Sequence, residues 1–111
     1  MTVSCDLTKK HCVPCEGGVP ALSDAEVQSH LKTLPGWLLD EKNRITKTWN
    51  FKNFHETMAF VNAVAWISHQ EGHHPDLEVG YNKCVVFYET HAVSGLTEND
   101  FICAAKVDQL Y

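Results

Sequence analysis

No apolar run in this 111-residue chain approaches the ~20 residues that a membrane-spanning helix requires, which excludes that class of protein. The segment Met1–Lys10 has no apolar core of the kind found in a secretory leader, so export is not expected. Basic residues are scarce. Lys and Arg number 9 against 14 Asp and Glu, a formal charge of −5, and such a chain lacks the electrostatic footprint of a nucleic-acid binder. There is no internal repeat and no low-complexity tract. Without an export signal, the five cysteines at positions 5, 12, 15, 84 and 103 are expected as reduced thiols and not as a disulfide framework. What remains is one globular domain of 12.5 kDa, expected in the cytoplasm, with an ordinary hydrophobic fraction of 44%.

Three helix starts are written with one device. Ser23 with Glu26, Asn53 with Glu56 and Thr97 with Asp100 place a capping side chain three residues before an acidic one, so that orphan N–H groups are satisfied. The first helix carries apolar positions 27, 31 and 34 and stops at Pro35-Gly36. In the second, Phe54, Met58, Val61, Val64, Ala65 and Ser68 are expected to form one broad face. Strand patterns lie between. Residues 37–40 and 44–51 flank Glu41-Lys42-Asn43, a hairpin-length connection, with Ile45, Lys47, Trp49 and Phe51 on one face. Leu77, Val79 and Tyr81 alternate with polar residues and glycine, and Cys84–Tyr88 is a continuous β-rich run. The order helix, strand, strand, helix, strand, strand, helix predicts an α+β fold, an antiparallel sheet with helices on one face.

Seven histidines are present, and three stand where helix or strand patterns stop: His73-His74-Pro75, and His91 further along. Proline at 75 disfavours helical geometry for His74, which places the pair at a helix end. Histidine titrates near neutrality, so a cluster at chain turns points to proton transfer, metal binding or anion recognition; a plain polar helix stop is the bland alternative. The topology lets all three imidazoles converge on one cleft, where one could donate and another accept a proton. A three-histidine zinc site is the rival, although the helical zinc pattern His-Glu-x-x-His is absent.

From His69 through His73-His74-Pro75, Tyr81, His91 and Asp100, the chain resembles the signature of the pterin-4a-carbinolamine dehydratases. That signature is an acidic, basic or His position, three residues, His-His-Pro, five residues, an aromatic, nine residues, His, a short loop and Asp, and every spacing fits. Asn50-Phe51-Lys52-Asn53-Phe54, Tyr81-Asn82-Lys83 and Ser94-Gly95-Leu96-Thr97 are also similar, over residues 21–111. The resemblance implies an αββαββα domain with a four-stranded antiparallel sheet and three helices on one face. It implies no metal and no cofactor. The implied reaction is loss of water from a 4a-hydroxytetrahydropterin to give the quinonoid dihydropterin, a hydro-lyase step that recycles the pterin of an aromatic amino-acid hydroxylase. On this basis His73 and His91 are the acid/base candidates and His74 binds or orients the pterin. Pro75 fixes the loop, Thr90 contacts the ring, and Trp37 is a pocket-wall candidate with core packing as its alternative. Asp100 completes the signature but is expected to be mainly structural, as a helix cap. His69 stands where many relatives carry an acid, and Gly72 where some carry a polar residue. Homodimers or homotetramers are implied, and the strands around 44–50 and 84–90 are expected near the contact. A non-enzymatic dimerisation or regulatory binding module is the alternative function, because mammalian relatives also serve as dimerisation cofactors of a transcription factor.

Residues 1–20 differ from the rest and read as an irregular lead-in packed on or trailing from the domain at 21–111. Cys12-x-x-Cys15 is half of a common zinc spacing, to which Cys5 or His11 could add ligands. No second pair follows, and the βαβ setting of a thioredoxin-like redox pair is missing. The segment is therefore read as an ordinary lead-in, with metal or redox function of Cys5, His11, Cys12 and Cys15 as the alternative.

Overall fold

The computed structural model describes residues 7–13 and 20–111. Its elements follow the expected order: α1 (Asp24–Leu31), β1 (Leu38–Leu39), β2 (Ile45–Asn50), α2 (Phe54–Glu71), β3 (Asp76–Val79), β4 (Lys83–Tyr88) and α3 (Glu98–Asp108). Two short 3-10 turns, at Leu7–Lys9 and His91–Val93, lie outside this order. All strand pairings are antiparallel and the sheet order is β1-β2-β4-β3.

Local chemistry sets the element ends. At α1 the Glu26 N–H donates to the Ser23 hydroxyl (3.2 Å), and the Ser23 N–H donates back to Glu26 Oε1 (2.8 Å). At α2 Asn53 Oδ1 accepts the Glu56 N–H (2.9 Å), while Glu56 takes the Lys52 N–H (3.1 Å). The helix ends at Gly72, whose φ of 63° is the left-handed geometry that glycine adopts without a Cβ penalty. The β1–β2 turn is organised by Asp40. Its carboxylate accepts the N–H groups of Lys42 and Arg44 and the Arg44 Nε–H, at 2.8–2.9 Å. Burial pushes the Asp40 carboxyl up, but those donors outweigh it and hold it below its ordinary value.

Strand alternation separates two faces. Ile45, Trp49, Cys84, Val86 and Tyr88 are buried beneath the helices with Phe60, Val64 and Phe101. Lys47 shares this inner face, and its ammonium reaches Asp108 (2.9 Å) and the Pro35 carbonyl (3.2 Å). The open face carries the row Leu38, Thr46, Phe87 and Asp76, fixed by the register, and Arg44 lies over the Phe87 ring at 4.1 Å.

The buried stripe of α2 differs from the expected one: Thr57, Phe60, Val64 and Ile67 face the sheet, while Phe54 is half exposed. The helix is apolar on most of its circumference, so apolar spacing alone leaves its rotation undefined. Among the described residues no helix is long and apolar enough to cross a membrane.

Candidate active site

The C-terminal end of α2, the start of β3 and the end of β4 meet where Asp76 pairs with Phe87. His73 and His74 precede that pair and His91 follows β4, so the topology brings all three signature histidines to one end of the ladder.

His73 is the most constrained. Its side chain is 11% exposed, and Nε2 lies 2.6 Å from Asp100 Oδ1. Its ring is nearly parallel to that of Tyr88, with centroids 5.9 Å apart. Asp100 is fully buried, and its other oxygen accepts the Thr90 hydroxyl (2.7 Å) and the Thr97 N–H (3.0 Å). A carboxylate that accepts from Thr90 and Thr97 is an acceptor towards the imidazole too, so Nε2 of His73 carries a hydrogen and the single-proton tautomer of this ring has its lone pair on Nδ1. Thr90 Oγ1 also meets Thr97 Oγ1 at 2.9 Å, with Thr97 donating because the Thr90 hydrogen is committed to Asp100. Asp100 thus caps α3 and sets the tautomer of His73.

Burial bears on two expectations, that Thr90 contacts the ring and that Trp37 is either pocket wall or core. Thr90 is 2% exposed and its hydroxyl is consumed by Asp100 and Thr97, so it has no group to offer a pterin ring. Trp37 is 3% exposed, packs edge-on against Trp49 at 5.5 Å and tilts against Tyr88 at 6.2 Å; its Nε1–H donates to Asp108 (3.0 Å). It is core, one aromatic ring removed from His73.

His74 is exposed and Pro75 half-buried. His91 is exposed on its 3-10 turn, and a nitrogen of its ring and carboxylate oxygens of Asp76 and Glu89 all lie within 4.8 Å of one another. Among the described residues this is the set with metal-ligand spacing, and only one of the three signature histidines belongs to it. The all-histidine zinc site is therefore not the grouping that the fold makes. Neither Asp76 nor Glu89 is marked by the sequence signature. Strand alternation from Phe87 to Glu89, with the Asp76–Phe87 pairing, is the signal that could have placed them on one face.

Burial, with Cys103 and Cys12 close by, raises the Tyr88 phenol well above its ordinary range, which leaves it a neutral ring supporting His73. His69 lies on the exposed side of α2 against Trp66, with ring centroids 5.5 Å apart.

The chain matches the family described as Pterin 4 alpha carbinolamine dehydratase over residues 20–110. It belongs to that family. Relatives named pterin-4-alpha-carbinolamine dehydratase include one from Nitrosomonas eutropha, 63% identical over 99% of this chain and 97% of its own. Another, from Nitrosomonas europaea, is 60% identical over 100% and 98%. Among solved structures, the transcriptional coactivator/pterin dehydratase of Brucella melitensis superposes with a TM-score of 0.77 at 31% identity, covering 81% of this chain and 97% of that one. A pterin dehydratase-like protein identified as a RuBisCO assembly factor of the alpha-carboxysome reaches a TM-score of 0.59 at 27% identity, covering 68% and 88%. The carbinolamine dehydratases are hydro-lyases, and the αββαββα arrangement read from the sequence is the fold that this dehydratase-family member has.

Proposed function

We propose that this protein removes water from a 4a-hydroxytetrahydropterin by histidine acid/base catalysis, in the domain at 21–111. In this reading His73 Nδ1 accepts the proton lost from the pterin ring nitrogen. His91 supplies the proton that lets the C4a hydroxyl depart as water, and His74 orients the ring beside Pro75. The C4a–O bond breaks, the ring gains a double bond to nitrogen, and the two proton transfers cancel. The observation that carries the reading is the 2.6 Å His73–Asp100 bond inside the family signature, since a buried carboxylate that fixes one imidazole tautomer suits a proton acceptor. The quinonoid product is a substrate for reduction, which places the protein beside an aromatic amino-acid hydroxylase whose pterin it returns to use.

The test is incubation of the chelator-treated protein with freshly generated 4a-hydroxytetrahydropterin. Acceleration of dehydration that chelation leaves unchanged is the expected result. Activity lost on chelation and restored by zinc would move the chemistry to a metal, with Asp76, Glu89 and His91 as the place to look.

A second reading, a binding module without catalysis, is favoured by the two superposed relatives, one a transcriptional coactivator/pterin dehydratase and the other a RuBisCO assembly factor. It would keep the fold without needing three histidines at one end of the sheet. A complete lack of acceleration over the spontaneous reaction would select it.

A further inference from the structure

We propose that Cys12 and Cys103 form a redox modification site, a dithiol that a small-molecule disulfide converts to a bond clamping residues 7–13 onto α3. The two sulfurs are 3.6 Å apart. Closing to a bond length of about 2.05 Å takes roughly 1.5 Å of movement, within reach of side-chain rotation. Cys12 is partly exposed and Cys103 fully buried, so only one thiol meets a reagent from solvent.

The surrounding contacts pre-position the pair. The Cys12 N–H donates to Glu71 Oε1 (2.8 Å), and His11 Nδ1 meets Glu71 Oε2 (3.0 Å). Next to Cys12, the Val13 N–H and carbonyl pair with both ends of the Asn99 side-chain amide, at 3.1 and 2.8 Å. Lys106 holds the Thr8 carbonyl (3.0 Å), Lys10 pairs with Glu98 (3.1 Å), and Leu7 is buried in the core. Cys12 is therefore held on both sides, and its sulfur is directed at Cys103 and at the Asn99 carbonyl, 3.6 Å away.

The chemistry balances with an oxidised low-molecular-weight disulfide of the glutathione class as electron acceptor. Cys12 thiolate attacks one sulfur of that disulfide, forming a mixed disulfide and expelling a thiolate, which takes up a proton. Cys103 then loses its proton to water and attacks Cys12 Sγ, expelling the second thiolate. Two protein thiols are oxidised and one disulfide is reduced to two thiols. The order follows from the site. The hydrogen bond that Cys103 donates to Cys12, together with burial, pushes the Cys103 thiol far up, and the first of these disappears once Cys12 is in the mixed disulfide. In the dithiol state Cys103 Sγ also lies 3.9 Å from the His73 carbonyl, so the modified sulfur stands one contact from the candidate catalytic imidazole.

The experiment uses the full chain treated with oxidised glutathione, alkylated, and digested without reductant. The expected product is a Cys12–Cys103 cross-link, with Cys84 alkylated only after denaturation because it is fully buried. The linked loop spans almost the whole chain, so the melting midpoint should rise by about 10 °C and return with dithiothreitol. Cys12→Ser and Cys103→Ser should each abolish the link and the shift; the wild-type map stands whether or not those variants fold. A Cys12 that remains a glutathione adduct, pairs with Cys15 or Cys5, or links to Cys103 with no rise in midpoint would overturn the proposal.

Discussion

Asp100 accepts hydrogen bonds from His73, Thr90 and Thr97 in a fully buried position, and each donor belongs to a different local structure. Asp100→Asn keeps the shape but offers one acceptor where two are needed, and turns an amide N–H towards a donor. The variant should lose about 2–3 kcal/mol of stability, readable as a lowered denaturant midpoint. Its kcat, measured on the folded protein, should fall by roughly a hundredfold as His73 loses its fixed tautomer. A wild-type kcat in Asp100→Asn would reduce this carboxylate to a helix cap. His73→Ala and His91→Ala should each slow dehydration by about a hundredfold or more, whereas His74→Ala should raise KM at least as strongly as it lowers kcat. Wild-type turnover in both of the first two would dismiss the site. At this scale the sequence exposed the histidines because proline, capping pattern and spacing all mark them. The burial of Trp37 was not legible, since it depends on Asp108 arriving from α3, 71 residues along the chain.

Among the elements, α2 and the docked segment 7–13 depend on Glu71. Burial pushes its carboxyl up, but the Cys12 N–H, the His11 ring and the Lys106 ammonium prevail, and its pKa lies below the ordinary 4.5. A folded pKa below the unfolded one contributes stability that is fully present above about pH 4.5 and is lost as pH falls through the folded value. Protection of the amides of residues 7–13 against hydrogen exchange should therefore weaken below that pH, and in Glu71→Gln it should be weak throughout. Unchanged protection in the variant would show that Leu7 and the Asn99 amide hold the segment alone. Helix starts and strand order were readable because capping and alternation are local signals. The docking of 7–13 was not, because its partners sit 59 to 98 residues away and no periodicity announces them. Cys5 and Cys15, the other cysteines of the expected lead-in, lie outside the described residues.

For the whole molecule, the open face of the sheet is the unfinished surface. Val85 and Phe87 are half-buried there, Arg44 covers one ring, and Leu38 at the edge strand is 68% exposed. A sheet with helices on one side leaves this face and its edges open, a surface on which a second subunit could pack. A dimer at least is expected by light scattering across protein concentrations, with the 44–50 and 84–90 strands near the contact. Leu38→Lys should shift the equilibrium towards the smaller species. A monomeric mass at every concentration would leave the apolar row as ordinary surface.

Exposure alternates residue by residue from His73 through Glu78, and this alternation puts the two adjacent imidazoles in different surroundings. This makes the pair sensitive to reading length and not only to residue identity. An alanine inserted after His74, with β3 held in register by β4, would seat His74 in the half-buried position beside Tyr88 and leave alanine in the exposed one. Such an insertion changes no existing side chain, yet it should act as a loss of the exposed histidine, with KM affected before kcat. Single-residue indels between Gly72 and Asp76 are thus a means of exchanging the duties of two chemically identical neighbours.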